Sequence, residues 1–431
     1  MPLAILPSLD NKEYESDEYP ELKPDLTALS GLVYTRIGKK ITSCQKATRG
    51  TYNEIYILNT EDGQKLIARL CRLPRYPAAL RSEVAAMALV RARTSIPVLV
   101  VHFYEDSPSN DVGVQFLVMD FVEGVHLYRI WGDLTLGHKK DILTQIAWVL
   151  GQLASMEFDA VGSIVEGGTV GSLLHYRLEE IGGKEVIEYT SDGPFESTPD
   201  YLSHFIDRFS SSSNISKDNR ARLSEVRNIL ANYLASHGKE SYIRPPFRLL
   251  HGDFDGQNLL FTDPKLSDGT SPPRLVSVID WDHTHTVPLY FLYEYPMFIR
   301  DCDYYEHLYE ENAILRQHFA RALRKQFPPG SARYLEARAC IPSGRSSILN
   351  NFKRIFMTGV VWDDETIYAL LKPYVGTEKK GIGKAYGGRI DWVPDLDESD
   401  SDEPSDGGCA SSSSSPTLES LFQLLHLRVD V

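Results

Sequence analysis

The chain has little cysteine, no long apolar run and no excess of positive charge. Its five cysteines lie far apart and form no CxxC pair, which argues against a disulfide framework or a zinc site and favours a reducing compartment. No stretch approaches the roughly 18 uncharged apolar residues of a membrane span. The first residues lack a basic segment and soon turn acidic, unlike a secretory or transit peptide. We therefore expect a cytoplasmic protein that does not insert into a membrane.

The net charge of −14 belongs to the two ends of the chain. Residues 1–30 carry −5 and residues 395–431 carry −8, which leaves −1 for the body between them. Proteins that bind nucleic acid present clustered positive charge to the phosphate backbone. A near-neutral body lacks that property, so no nucleic-acid partner is expected.

Sequence patterning predicts two lobes with a further segment at each end. In the first lobe, apolar β-rich runs flank a polar turn at 59–63, and residues 80–93 carry apolar side chains at helical spacing. Beyond residue 125 the clearest patterns are helical. A sheet-rich part followed by a helical part predicts an α+β fold with a crevice at the junction. The predicted parts are an N-terminal extension (1–39), an N-lobe (40–122), a C-lobe (123–394) and a tail (395–431).

The tail has two sections. Residues 395–416 are acidic, rich in serine and glycine, and almost free of apolar residues, so we expect them to be disordered. After them, Leu418, Leu421, Phe422 and Leu425 share one face of a predicted helix. That helix either docks on the body or on a partner protein, or it docks nowhere.

The strongest chemical signal is a carboxylate and a carboxamide in one loop, followed by a strand that ends in an acid. His251-Gly252-Asp253 leads to Asn258 five positions after the aspartate, and Val276–Ile279 leads to Asp280. Phosphoryl transfer needs an acid that accepts the acceptor's hydroxyl proton and oxygen ligands for magnesium. Asp253 fits the first role, and Asn258 and Asp280 fit the second.

The pattern HGDxxxxN followed by IDWD resembles the aminoglycoside phosphotransferases and choline kinases, which have a two-lobed, protein-kinase-like fold. The resemblance extends over roughly residues 40–390. It implies that Asp253 is the catalytic base, that Asn258 and Asp280 bind magnesium and that His251 stiffens the loop. Asp282 matches the second acid of IDWD and is expected to support the metal or the acceptor. The spacing before Asp280 is longer than usual, because a polar insert occupies Thr262–Arg274.

The same resemblance places ATP in the N-lobe. Gly50, Thr51 and Asn53 lie between strand-like runs and match the family's nucleotide loop, although an ordinary hairpin turn would look the same. The run Met119–Gly124 resembles the hinge between lobes, where backbone groups of Asp120 and Val122 would bond adenine. A plain strand end is the alternative interpretation.

One position departs from the family pattern. Glu83 matches the helix glutamate that pairs with a lysine on the third strand, but the matching strand position is Arg69. An arginine can contact phosphates and pair with a carboxylate in a different geometry from an ammonium. Lys65 lies on the same strand face, and we interpret it as a solvated lysine at the hairpin edge.

These features predict an ATP- and magnesium-dependent phosphotransferase that acts on a hydroxyl of a small molecule, whose identity the sequence leaves open. Arg69 favours a rival from another class, a pseudokinase that binds nucleotide and regulates a partner protein. A kinase acting on proteins is a weaker alternative, because no activation segment separates Asp280 from Pro288.

Overall fold

The computed structural model describes residues 3–7, 21–181, 184–211, 217–266, 271–300 and 305–340 of the chain. The predicted tail and the last part of the predicted C-lobe lie outside the described residues. The two segments that carry the predicted chemistry, around Asp253 and Asp280, are both described.

The N-lobe is built on one six-stranded sheet in the order β1-β2-β3-β4-β6-β5. All neighbours pair antiparallel except β1, which runs parallel to β2. The predicted hairpin is therefore confirmed as β3 and β4. The strands are β1 (Ala4–Leu6), β2 (Ile41–Arg49), β3 (Asn53–Thr60), β4 (Lys65–Cys71), β5 (Val101–Glu105) and β6 (Phe116–Asp120).

Two helices cover this sheet. Helix α1 (Leu26–Ile37) begins at Asp25, whose Oδ1 accepts the amides of Thr27 and Ala28 at 2.9 Å, and it buries Leu29 and Val33. It packs with β-strand side chains in one apolar cluster, so the predicted N-terminal extension contributes β1 and α1 to the lobe. Helix α2 (Pro77–Arg93) starts with proline at its first turn, where the missing amide costs nothing.

The C-lobe is mainly helical, as predicted, and its centre is α4, which packs against α8. Its helices are α3 (Leu127–Ile130), α4 (Leu136–Ala154), α5 (Thr198–Ser211), α6 (Lys217–His237), α7 (Leu289–Leu292), α8 (Tyr309–Arg324) and α9 (Ala332–Cys340). Its strands are β7 (Val125–His126), β8 (Glu157–Phe158), β9 (Ile164–Val165), β10 (Thr169–Val170), β11 (Leu173–Ile181), β12 (Lys184–Asp192), β13 (Phe247–Leu250), β14 (Leu259–Phe261), β15 (Leu275–Val278) and β16 (His285–Val287).

Two small sheets of the C-lobe bring the predicted motifs together. Strand β13 pairs with β16, and β14 pairs with β15, both antiparallel. The segment 251–258, which we call the HGD loop, connects β13 to β14. The segment 279–284, the acidic turn, connects β15 to β16. Because the four flanking strands pair in this way, the two connections lie side by side.

The lobes touch at several points besides the connecting segment 121–124. The Val278 amide donates to the Pro97 carbonyl at 2.9 Å, which joins the end of β15 to the segment after α2. Helix α2 also contacts β9, and a side chain at Gly168 would come within 2.7 Å of Leu89. Among the described residues, no helix is long and apolar enough to cross a bilayer.

We expect Asp25→Ala to lower the free energy of unfolding by about 1 kcal/mol, the usual contribution of an N-terminal cap. Urea unfolding measures the change. Asp111→Ala, at an exposed carboxylate before β6, is the control and should stay close to wild type. Equal stability of the two variants would show that α1 does not depend on its cap.

Candidate active site

The HGD loop is anchored by His251, which is fully buried. Its Nε2 donates to the Ile279 carbonyl at 2.9 Å, and its ring lies 4.5 Å from that of Trp281. Burial lowers the pKa of His251, which favours a neutral ring with its proton on Nε2. The side chain therefore ties the loop to the acidic turn, in line with the stiffening role predicted for it.

Asp253 is exposed and held in a defined orientation. Its Oδ2 accepts the side-chain amides of Asn258 at 2.7 Å and Gln257 at 2.9 Å. Both bonds fall on the same oxygen, so Oδ1 is the atom that can take a proton. An oriented and accessible carboxylate is what a general base requires.

Asn258 connects the HGD loop to the acidic turn. The Asn258 Nδ2 donates to the backbone and to the side chain of Asp253. The backbone carbonyl of Asn258 accepts the Ile279 amide at 2.9 Å. An amide that has committed both hydrogens keeps only its oxygen for another ligand. The next residue, Asp280, has a φ of +58°, a strained conformation that is common at functional sites.

A second brace comes from the start of the C-lobe. His126 bonds the Gln257 carbonyl through Nδ1 at 2.6 Å, and the Tyr128 amide donates to the Gly256 carbonyl at 3.2 Å. The HGD loop is thus fixed from β7 on one side and from the acidic turn on the other.

Arg69 of the N-lobe reaches both lobes. It lies in the middle of β4, between β3 and β6, and donates to Glu83 Oε2 at 2.6 Å and to Asp280 Oδ1 at 3.2 Å. The predicted pair with Glu83 is therefore present with arginine in place of lysine. Burial alone would raise the pKa of Glu83, but the arginines outweigh it and the pKa is lowered.

Asp280 is in a different electrostatic setting. Removal from water raises the pKa of its carboxyl to about 6, and Glu83 adds to the rise while Arg69 opposes it. Its side chain is still 40% exposed. A divalent cation there would relieve the repulsion between neighbouring carboxylates.

Arg75 is a member of this charge group that sequence reasoning missed. Its guanidinium donates to Glu83 Oε2 at 2.9 Å and to Asp282 Oδ1 at 2.5 Å. Asp282 also accepts the His283 amide at 2.9 Å. The sequence offers only a weak indication of Arg75: an arginine two residues before a helix whose first turn contains no acid.

The nucleotide-loop residues lie at the turn from β2 into the first residue of β3. The Gly50 amide donates to the Asn53 carbonyl at 2.9 Å, and Arg72 donates to the Gly50 carbonyl at 2.6 Å. Because the Gly50 amide is already bonded, a phosphate at this turn would have to accept from other amides, such as that of Thr51. The buried Oδ1 of Asn53 has no hydrogen-bond partner among the described residues.

The hinge candidates lie at the end of β6. The Asp120 amide donates to the Val100 carbonyl at 3.0 Å, and its carboxylate accepts from Val100 and contacts His102. Val122 follows in the segment that crosses to β7. Lys65 is exposed, as expected, and its ammonium lies 4.9 Å from the Phe121 ring centroid, also at the hinge.

The donor set fits magnesium held jointly with phosphates. Across the described part of the chain, no group of three or more His, Cys, Asp or Glu side chains is arranged to hold a metal ion. Magnesium usually takes one or two carboxylates and completes its shell with water and substrate phosphates. The Asp280 carboxylate and the Asn258 side-chain oxygen meet that requirement, although Arg69 contacts the carboxylate at 3.2 Å.

Comparison with known proteins gives a family match over the same region. The sequence profile of the APH phosphotransferase enzyme family matches residues 43–291. A subtelomeric hrmA-associated cluster protein of Aspergillus fumigatus is 36% identical over 121 residues, 28% of this chain and 24% of the relative. The mitochondrial altered inheritance of mitochondria protein 9 of Zygosaccharomyces rouxii is 26% identical over 155 residues, 33% of this chain and 25% of the relative. The chain thus spans about a quarter of the length of these curated relatives.

Among solved structures, the gentamicin complex of APH(2'')-IIa is 12% identical with a TM-score of 0.46, covering 83% of this chain and 98% of the other. The macrolide 2'-phosphotransferase MphH of Brachybacterium faecium is 14% identical with a TM-score of 0.44, covering 83% and 99%. At these scores the similarity in shape is weak, whereas the family match covers more than half of the chain.

The close approach of the HGD loop to the acidic turn can be tested at Gly252. Its φ is +58°, and an added Cβ would lie 2.8 Å from the His283 carbonyl oxygen. Gly252→Ala should therefore lose stability through both backbone strain and this clash. We expect it to unfold at lower urea concentration than Gly63→Ala, which has a φ of +80° but open space around it and should lose only about 1 kcal/mol from strain. Equal losses of stability in the two variants would show that the acidic turn moves away from an added Cβ at no cost.

Proposed function

Because the chain belongs to the APH phosphotransferase enzyme family, we propose that it transfers the γ-phosphate of ATP to a hydroxyl group of a small molecule. One observation carries the proposal: hydrogen bonds join the Asp253 carboxylate, the Asn258 amide and the acidic turn in one continuous unit. That unit combines a base for the acceptor and ligands for a phosphate-bound cation, which are the parts the reaction requires.

Asp253 would accept the hydroxyl proton of the acceptor. The two amide donors on Oδ2 orient the carboxylate, while Oδ1 faces no donor in the loop. Removing the proton as the oxygen attacks phosphorus makes the hydroxyl a better nucleophile. The proton ends on the carboxylate, and the phosphoryl group leaves the nucleotide for the acceptor oxygen.

Asn258 and Asp280 would hold magnesium against the nucleotide. A bound ion would supply positive charge that offsets the charge developing on the phosphates during transfer. For the chain's own part, the amide bonds of Asn258 fix its oxygen, and the bond from Ile279 fixes the start of the acidic turn. These bonds would hold the two proposed ligands in position before nucleotide arrives.

Arg69 would bind the α- and β-phosphates while remaining paired with Glu83. Its guanidinium already uses one terminal nitrogen on Glu83 and the other on Asp280. A phosphate and a cation entering together would take over the contact with Asp280, because the cation satisfies that carboxylate and the phosphate satisfies the arginine. The nucleotide loop at Gly50, Thr51 and Asn53, and the hinge backbone at Asp120 and Val122, would complete the ATP site.

The same contact of Arg69 with Asp280 favours a second candidate, a pseudokinase that binds nucleotide without turnover. If the arginine stays on Asp280, it competes with the cation for the carboxylate. Under this alternative the protein would act on a partner, for which the acidic tail is the proposed contact. A cytoplasmic location is part of both proposals.

Replacing Asp253 with asparagine tests the base. Asp253→Asn keeps the shape but removes the proton acceptor, so magnesium-dependent ATP turnover should fall by roughly 10²–10⁴-fold. Mg·ATP affinity, measured by calorimetry, should change little, because Asp253 faces the acceptor. Asp141→Asn at an exposed position of α4 is the matched control. Turnover that survives Asp253→Asn would exclude Asp253 as the base.

Replacing Arg69 with lysine distinguishes the enzyme from the pseudokinase. Lysine cannot donate to Glu83 and to a phosphate from two fixed nitrogens, and loss of one charged hydrogen bond corresponds to about a tenfold drop or more in turnover. Lys65→Arg on the same strand, where the side chain is exposed, should leave turnover unchanged. If wild type and Arg69→Lys both bind Mg·ATP but hydrolyse none, the pseudokinase is the correct assignment.

A further inference from the structure

The connection between β4 and α2 contacts the C-lobe through two consecutive residues. Arg75 binds Asp282 of the acidic turn. Tyr76 stacks on Tyr189 of β12, with ring centroids 5.9 Å apart and planes inclined by 29°. Two separate elements of the C-lobe therefore meet one short segment of the N-lobe.

The backbone of Arg75 is held by hydrogen bonds to the side chain of Gln115. The side chain of Gln115, which is 2% exposed, accepts the Arg75 amide at 2.5 Å and donates to the Arg75 carbonyl at 2.9 Å. With its backbone fixed on both sides, the guanidinium has little freedom, and its side chain is only 10% exposed. A rigid donor of this kind can set the position of the carboxylates that it binds.

The two carboxylates bound by Arg75 belong to different lobes. Glu83 is on α2 and is 2% exposed at its side chain, and Asp282 is 25% exposed. Glu83 is shared with Arg69, which in turn contacts Asp280. Two arginines thus face three carboxylates. Without Arg75, Asp282 would keep the His283 amide at 2.9 Å and the His283 ring at 3.3 Å but would lose its arginine partner. Arg69 would then be drawn towards more than one acid.

We infer that Arg75 is a positioning residue: it fixes Glu83 and Asp282 across the lobes and thereby keeps Arg69 and Asp280 in the geometry that receives Mg·ATP. The inference rests on the proposed function. It assigns Asp282 to the arginine rather than to the metal, and it makes the charge of Asp282 harmful once Arg75 is gone.

A double-mutant cycle tests this dependence with wild type, Arg75→Met, Asp282→Asn and the double variant. Methionine keeps much of the length of the side chain and removes its charge. We expect Arg75→Met to weaken Mg·ATP binding by about tenfold or more. Asp282→Asn in that background should recover part of the loss, because it removes a charge that no longer has its arginine partner. Calorimetry gives the dissociation constants. Arg81→Met on α2, at a pair with Asp106 whose arginine side chain is 58% exposed, should bind like wild type.

Melting of the same four proteins without ligand separates the inference from the proposed function. Arg75→Met should melt several degrees below wild type, and the double variant above Arg75→Met. If wild type does not bind Mg·ATP, the proposed function and the role of Arg75 in positioning the Mg·ATP site are overturned. If the double variant nonetheless melts above Arg75→Met, Arg75 is retained as a link between the lobes. Strictly additive losses in binding and in melting would overturn the inference itself.

Discussion

Two buried arginines and three carboxylates meet where the lobes face each other, and the pairing between them sets the shape of the cleft. Taking ionised groups out of water is costly, and the cost is offset only when each charge finds partners in good geometry. Arg69 and Arg75 converge on a single oxygen of Glu83 and diverge to Asp280 and Asp282. Helix α2 and the acidic turn are therefore placed relative to each other by charge as well as by apolar packing.

The rest of the site depends on that placement through main-chain contacts. The acidic turn carries the Asp280 carboxylate and, through the Ile279 backbone, binds both His251 and Asn258. The HGD loop then orients Asp253 through Asn258 and Gln257. A continuous series of hydrogen bonds therefore links the charge group at the lobe interface to the proposed base, Asp253.

The sequence predicted what is local or set by strand register. Asp253 and Asn258 are five positions apart in one loop between apolar strands, so their contact follows from loop geometry. Arg69 and Glu83 follow from a central strand and the next helix, which the family pattern also provides. The two-lobed α+β fold was predicted from the change from alternating to helical patterning, and it is confirmed.

Other features depend on contacts between distant residues, which leave no periodic trace. Arg75 and Asp282 are 207 positions apart, and nothing near Arg75 distinguishes it from a surface arginine. The use of the Gly50 amide inside its own turn depends on hydrogen-bond geometry that the residue type does not encode. The packing of α1 on the sheet likewise needed the partner strands to be known.

The bond between Val278 and Pro97 has a mechanical consequence. Together with the covalent crossing at 121–124, it is one of several attachments between the N-lobe and the C-lobe, beside the contact of α2 with β9. A swing about the line through the crossing and the Val278–Pro97 bond would leave these two attachments intact. Such a swing would part Tyr76 from Tyr189 and Arg75 from Asp282 together, since the two pairs share one segment. Opening and closing of the cleft would then be a single movement with one set of contacts to break.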